Sequence, residues 1–264
     1  MDNYAERFNN NDSIETSTSS LPAFPGRMVM YNNNTGTLAL VVQGQDVATA
    51  QEVHSIKLAV DFTMTRLKYR QGQDMSENSN YVVTGEKNPF KLTVMNKTYV
   101  AKSKREMLEQ MQLNSGETLS QEVIYVGYIV AIDGQPCPVA EPVWYVSRGI
   151  NAWRLNDELQ AIGGLTMQTM INLIANKEQY KNSNGGTNLV LSFETNNLDD
   201  SKKSGFVNWV TKDGSTQKVA DYKEAMIKAT TAEEEALTTS NPVAEPNPFT
   251  GGQTVDIADD DLPF

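Results

Sequence analysis

The segment "HSIKLAVDFTMTRLKYR" constrains this chain more than any other stretch. Ile56, Leu58, Val60, Phe62 and Met64 alternate with Lys57, Ala59, Asp61, Thr63 and Thr65. A period of two places one set on a buried face and the other on the opposite face of a strand. The phase slips near Arg66, because Leu67 and Tyr69 fall on odd numbers. A β-bulge or sharp bend there would keep one face buried. A long strand with a displaced phase requires neighbours, so the chain must build a sheet rather than a helical bundle.

Further strands are predicted at 37–43 (TLALVVQ), 81–84 (YVVT), 90–101 (a hairpin turning at Asn96), 122–132, 142–147, 188–195 and 205–211 (GFVNWVT). Helical periodicity occurs at 102–113, at 152–180 with a break at Gly163 and Gly164, and at 218–237. The pattern predicts an α+β class with a strand-dominated body. At 264 residues the chain can bury a full core. Residues 1–26 are rich in Asn, Ser and Thr and read as a flexible arm, 27–237 as the folded body, and 238–264 as a disordered acidic tail.

Cysteine and histidine usage removes several classes of chemistry. One cysteine, Cys137, and one histidine, His54, allow neither an internal disulfide nor a zinc site built within the chain. The "TGEKNPF" stretch has the look of a zinc-finger linker but reads as a turn, since there is no finger to link. No nucleophile elbow, Walker sequence or dinucleotide-binding glycine motif is present. Asp199 with Asp200, and Asp259 to Asp261, lie in polar segments rather than on separate rigid elements, which disfavours a catalytic metal site. No catalytic residue and no cofactor are predicted, and the chain reads as a non-enzyme. It has no apolar leader and no apolar run long enough to cross a bilayer, so a cytoplasmic location, with no membrane partner, is expected.

The net charge of −11 argues against nucleic acid only until its distribution is considered. From Ala232 to the end there are eight acidic and no basic residues, which leaves 25 acidic against 22 basic residues over 1–231. Between Lys57 and Arg105 the balance reverses, with ten basic against four acidic residues. Aromatic residues are interleaved with those cations, the pairing that single-stranded nucleic acid requires for phosphates and unpaired bases. In "RLKYRQGQ", Arg66, Lys68 and Arg70 share one face if the strand persists, and Tyr69 points to the other. The candidate groove comprises Arg66, Lys68, Arg70, Lys91, Lys102, Lys104 and Arg105 for phosphates. Tyr69, Tyr99 and Trp144 or Trp153 would take the bases. Lys102, Lys104 and Arg105 surround a helix start, where cations oppose the helix dipole and so suit an anionic ligand better than they suit the helix.

The chain ends in "DIADDDLPF", in which Asp259, Asp260, Asp261, Leu262, Pro263 and Phe264 form an acidic run closed by an aliphatic residue, proline and phenylalanine. This resembles the C-terminal tip of bacterial single-stranded DNA-binding proteins. The resemblance implies a docking peptide, with the ring of Phe264 filling an apolar pocket, its carboxylate meeting a basic residue and the aspartates approaching a cationic rim. The body is longer and more helical than in the bacterial family, so the chain looks like a phage or plasmid type of single-stranded DNA-binding protein. By analogy, its body would be an OB-like antiparallel β-barrel or sheet with added helices. What the resemblance implies is a protein of a phage-infected or bacterial cytoplasm that coats single-stranded DNA without sequence preference in replication, recombination and repair. Its acidic tip would recruit partner proteins. The alternative is a virion structural or assembly protein, suggested by the Asn and Thr content, the short strands and the flexible arm. A nuclease or annealing enzyme would need clustered carboxylates in the body, and the sequence offers none.

Overall fold

The computed structural model describes residues 22–42, 50–72, 75–176, 178–181 and 187–240, with side chains described as far as residue 231. Its centre is three long strands, β4 (Ser55–Gln71), β9 (Glu117–Ile132) and β10 (Gln135–Ser147). β9 pairs antiparallel with both β4 and β10. Asp133 and Gly134 link β9 to β10 with positive φ at both positions, the geometry of a tight two-residue hairpin turn. The Asp133 carboxylate also accepts the backbone N–H groups of His54 and Ser55 at 2.7 and 2.8 Å, which pins the start of β4 beside that turn.

On one side the sheet continues through β1 (Arg27–Asn32), parallel to β10, then β2 (Thr37–Val42) and β3 (Gln51–Val53). On the other it continues through β11 (Thr169–Ile174) to β14 (Ser192–Asn197). The short strands β5 (Met75–Asn78) and β6 (Val82–Val83) pair with β4 and complete a curled, half-barrel sheet of ten strands. Two separate hairpins, β7–β8 (Phe90–Val94 and Lys97–Ala101) and β12–β13 (Gln179–Lys181 and Thr187–Leu189), lie outside it. Four helices occur among the described residues: α1 (Lys104–Met111), α2 (Gly149–Ala161), α3 (Asp200–Thr211) and α4 (Ser215–Ser240). The fold is mixed α+β with a mostly strand body.

The apolar residues expected to alternate in β4 are buried, but not on one face, because register shifts between Lys57 and Leu58 and between Val60 and Phe62 lie inside the run instead of near Arg66. Val60 pairs with Gly127 and Phe62 with Val126, so Asp61 is the extra residue of a bulge. Adjacent partners point to opposite faces, so the even-numbered side chains change sides at Asp61. Ile56, Leu58 and Val60 enter a core with Leu155 and Leu159 of α2. Phe62 and Met64 enter a second core, on the other face, with Val210 of α3 and Val219, Tyr222 and Met226 of α4. Gly127 is needed opposite the bulge, because a Cβ there would lie 1.9 Å from the Ala59 carbonyl oxygen. The slip near Arg66 is not a bulge. Leu67 and Tyr69 are buried in a third core formed with the β7–β8 hairpin and Met107 of α1, while the even positions leave the second core.

Two segments differ in type from their sequence reading. Residues 205–211, expected as a strand, lie in α3. Their β-branched and aromatic residues favour a strand locally. Helical spacing nevertheless turns Phe206, Trp209 and Val210 toward the second core, and the Trp209 indole N–H donates to the Cys137 carbonyl at 3.0 Å. The expected helix over 152–180 ends at Ala161, and its second half contains β11. Met170, Ile171 and Leu173 are buried between β4 and β14, where a central strand needs apolar residues on both faces. The strand expected over 188–195 is interrupted, its residues falling in β13 and β14. At the ends of the body, Phe24 packs edge-on against Trp144 and Tyr222 inside the second core, and α4 runs three residues past Leu237. No helix among the described residues is long and apolar enough to cross a membrane.

Candidate nucleic-acid interface

Beyond Met64 the even-numbered face of β4 opens into a cleft. Arg66 pairs with Glu122 of β9, Lys68 with Ser120 and Arg70 with Thr118, so all six side chains share one face. Arg148, at the junction of β10 and α2, reaches the same cleft, and Met28, Met30 and Trp144 form its apolar side. The cavity is about 690 Å³ in volume, within the range that holds a drug-sized ligand. Among the described residues four cations converge on it, and Glu122 is the one acidic side chain in its wall.

Glu122 is 1% exposed. Its Oε2 accepts Arg66 Nε at 2.7 Å and lies 2.6 Å from Arg66 Nη2, while Oε1 is 3.8 Å from Arg148 Nη1. Arg66 Nη1 donates to the Tyr81 hydroxyl at 2.6 Å, and the guanidinium carbon stands 5.1 Å from the centroid of the Tyr81 ring. Tyr81 in turn meets Trp144 edge-on at 5.6 Å. The result is a fixed floor of guanidinium, phenol and indole. The indole N–H of Trp144 is buried without a hydrogen-bond partner among the described residues. Burial raises the Tyr81 phenol above its ordinary pKa, with Arg66 pulling the other way, so Tyr81 stays neutral as a hydrogen-bonding group.

Around this floor the remaining positive charge comes from Lys68, Arg70 and Arg148, the last also 3.8 Å from Glu122. Burial lowers the pKa of Lys68, the neighbouring Arg70, Arg148 and Arg66 push in the same direction, and Glu122 opposes them. Gly149, Ile150 and Asn151, which open α2, also line the cleft. With no side-chain cap and no acidic residue in its first turn, that helix end adds the field of its unpaired N–H groups to the cations. This chemistry suits an oxyanion beside an apolar surface.

The structure brings Arg66, Lys68, Arg70 and Trp144 together and separates the other predicted residues from them. Tyr69 is packed in the third core on the opposite face of β4, so its ring is not at the cleft, as alternation requires. Lys91 and Tyr99 lie on the β7–β8 hairpin, a separate two-stranded sheet, where Lys97 Nζ covers the Tyr99 ring at 4.6 Å. Lys102 lines a smaller groove beside Thr65 and Phe90. The helix start at Lys104 and Arg105 needs no anion. Ser103 accepts the Glu106 N–H, and Glu106 reaches back to accept the N–H of Lys102, one residue before the cap, at 2.7 Å, while Arg105 pairs with Glu109. Trp153, on α2, is 62% exposed and does not line the cleft.

Sequence reasoning missed Arg148 and Glu122. Arg148 stands 78 positions from Arg70 and reaches the cleft only through the pairing of β10 with β9, which no local pattern reveals. Among the described residues no group of His, Cys, Asp and Glu is placed to hold a metal ion, and Asp199 and Asp200 pair with Lys202 and Lys203. The tip residues Asp259, Asp260, Asp261, Leu262, Pro263 and Phe264 lie outside the described residues. Comparison with known protein families, with curated proteins and with solved structures gives no match to this chain.

Proposed function

We propose that this chain binds single-stranded DNA without reading its sequence, as a non-catalytic protein that coats unwound DNA in replication, recombination and repair. The single observation that carries the reading is the cleft: Lys68, Arg70 and Arg148 line one cavity together with Arg66, Tyr81 and Trp144. Cations for phosphates beside flat surfaces for bases are the two requirements of a single strand. The curled sheet with one concave cationic face takes the part that an OB-like barrel would play in this reading. The choice of DNA, the phage or plasmid setting and the recruitment of partner proteins by Asp259 to Phe264 rest on the sequence resemblance of the C-terminal tip.

The test is fluorescence anisotropy of the full chain with a labelled oligo-dT and a duplex of equal length over a salt series. Preferential single-strand binding is expected, with a log–log salt slope of about −2 to −3 for three or four neutralised phosphates. Equal affinity for the duplex, or no single-strand binding at low salt, would overturn the proposal. Large symmetric assemblies formed without nucleic acid, in the absence of such binding, would favour a virion structural role.

A further inference from the structure

The four cleft cations are not equivalent. Each of the three nitrogens of Arg66 already has an acceptor within the protein: Nε and Nη2 on Glu122, Nη1 on Tyr81. Its side chain is 18% exposed, and the side chain of Glu122 beneath it 2%. A phosphate approaching the Nε–Nη2 side would have to displace a buried carboxylate from its main partner and leave that charge uncompensated, so only the outer edge between Nη1 and Nη2 keeps N–H groups to offer. Lys68 and Arg70 have no such partner among the described side chains, and Arg148 stands 3.8 Å from Glu122 with its side chain 57% exposed. With Glu122 and the Tyr81 hydroxyl fixing its edge, the guanidinium is held in the wall of the cleft that it lines. A planar cation held rigidly at its edge presents its face to flat ligands, and unpaired bases stack on guanidinium planes.

We infer that Arg66 is a base platform rather than a phosphate contact, held in place by Glu122 and Tyr81 as positioning residues, while Lys68, Arg70 and Arg148 bind the phosphates that flank the stacked base. The inference rests on the single-strand reading above and deepens it by dividing one cationic cluster into two roles. It assigns to this cleft a subsite for one unpaired nucleotide.

The experiment compares ten-residue oligo-dT with an abasic strand carrying the same phosphates, on the full chain and on Arg66→Lys, which keeps the charge but has no flat face. Wild type is expected to favour oligo-dT over the abasic strand by about fivefold or more, the lower end of what one base stack supplies. Arg66→Lys should remove most of that ratio and leave the salt slope unchanged. If Arg66→Lys weakens both strands equally and leaves the oligo-dT to abasic ratio intact, the inference is overturned. It is also overturned if wild type binds both strands equally, which leaves the single-strand reading standing. If wild type binds neither strand at low salt, that reading fails first. Thermal melting followed by circular dichroism checks that Arg66→Lys is folded. If it is not, Tyr81→Phe decides: the ring stays, one edge contact is lost, and the oligo-dT to abasic ratio should fall about twofold at constant slope. An unchanged ratio there overturns the inference.

Discussion

The cleft on β4 and β9 and the appendage formed by β7, β8 and α1 draw their charge from the same basic stretch of sequence, yet only one of them gathers it. In the cleft, Arg66, Lys68 and Arg70 stand on one face of one strand, joined by Arg148 from a distant strand end and organised around a buried carboxylate. In the appendage, Lys91 is on a hairpin strand, Lys97 folds over Tyr99, Lys102 lines another groove and Arg105 is matched within its own helix. Charge density along a sequence is therefore a poor measure of a site. Convergence is set by strand period and by pairing between strands far apart in the chain, and a cation at a capped helix start can be fully accounted for by its own surroundings.

The two ion pairs give the largest expected contrast. Glu122→Ala leaves Arg66 without its carboxylate in a site where only 18% of the side chain reaches solvent. Breaking a buried pair from one side should cost about 3 kcal/mol in urea unfolding. Glu109→Ala removes the partner of Arg105 on α1, where the two side chains are 81% and 66% exposed, and should leave the unfolding midpoint unchanged. Equal losses would mean that the cleft pair is as solvent-screened as the helix pair, and the rigid floor would lose its basis.

The next contrast concerns affinity. The triple substitution Lys68→Gln, Arg70→Gln and Arg148→Gln should weaken oligo-dT binding at low salt on the order of a hundredfold and make the salt slope shallower by about 2. The fourfold substitution of Lys91, Lys102, Lys104 and Arg105 by Gln removes more charge and should change affinity by less than about threefold, a residual long-range effect. Comparable losses from the two sets would show that the appendage belongs to the DNA path, and the division between the regions would fall.

Much of this contrast was legible in the sequence, and the rest was hidden for identifiable reasons. The burial of Ile56, Leu58, Val60, Phe62 and Met64, the hairpin at Asn96 and the shared face of Arg66, Lys68 and Arg70 follow from period and turn chemistry alone, whereas the change of face at Asp61 does not. The same alternation sends Tyr69 to the opposite face, so its place among the stacking residues contradicted the pattern that selected the cations. Ser103 and Glu106 carry the spacing of a capping box, a readable signal that explains the helix start without any ligand. The strand character of 205–211 and the helix expected beyond Gly164 failed because local propensity yielded to the cores that those segments cover. Arg148 and Glu122 needed the registers of β4, β9 and β10, which are properties of the whole sheet.

The smallest effect concerns the proton on Lys68. Its pKa lies below the ordinary lysine value, first because it is partly buried and then because three guanidinium groups surround it, with Glu122 in partial opposition. Over the window between the folded and the unfolded pKa, the unfolded chain holds the proton and the folded cleft has released it, so this residue makes stability rise with pH there. Binding runs in the opposite direction. A phosphate beside Lys68 favours the charged form, so binding in that window takes up a proton, and affinity falls as pH climbs through the depressed value. Oligo-dA is the suitable probe, since adenine has no group that titrates at alkaline pH. Lys68→Arg keeps its charge throughout and should hold affinity level over the range in which wild type weakens. Lys91→Arg, in the appendage, should follow the wild-type curve. If Lys68→Arg follows that curve as well, the proton being lost belongs to another group, and Lys68 is not on the phosphate path.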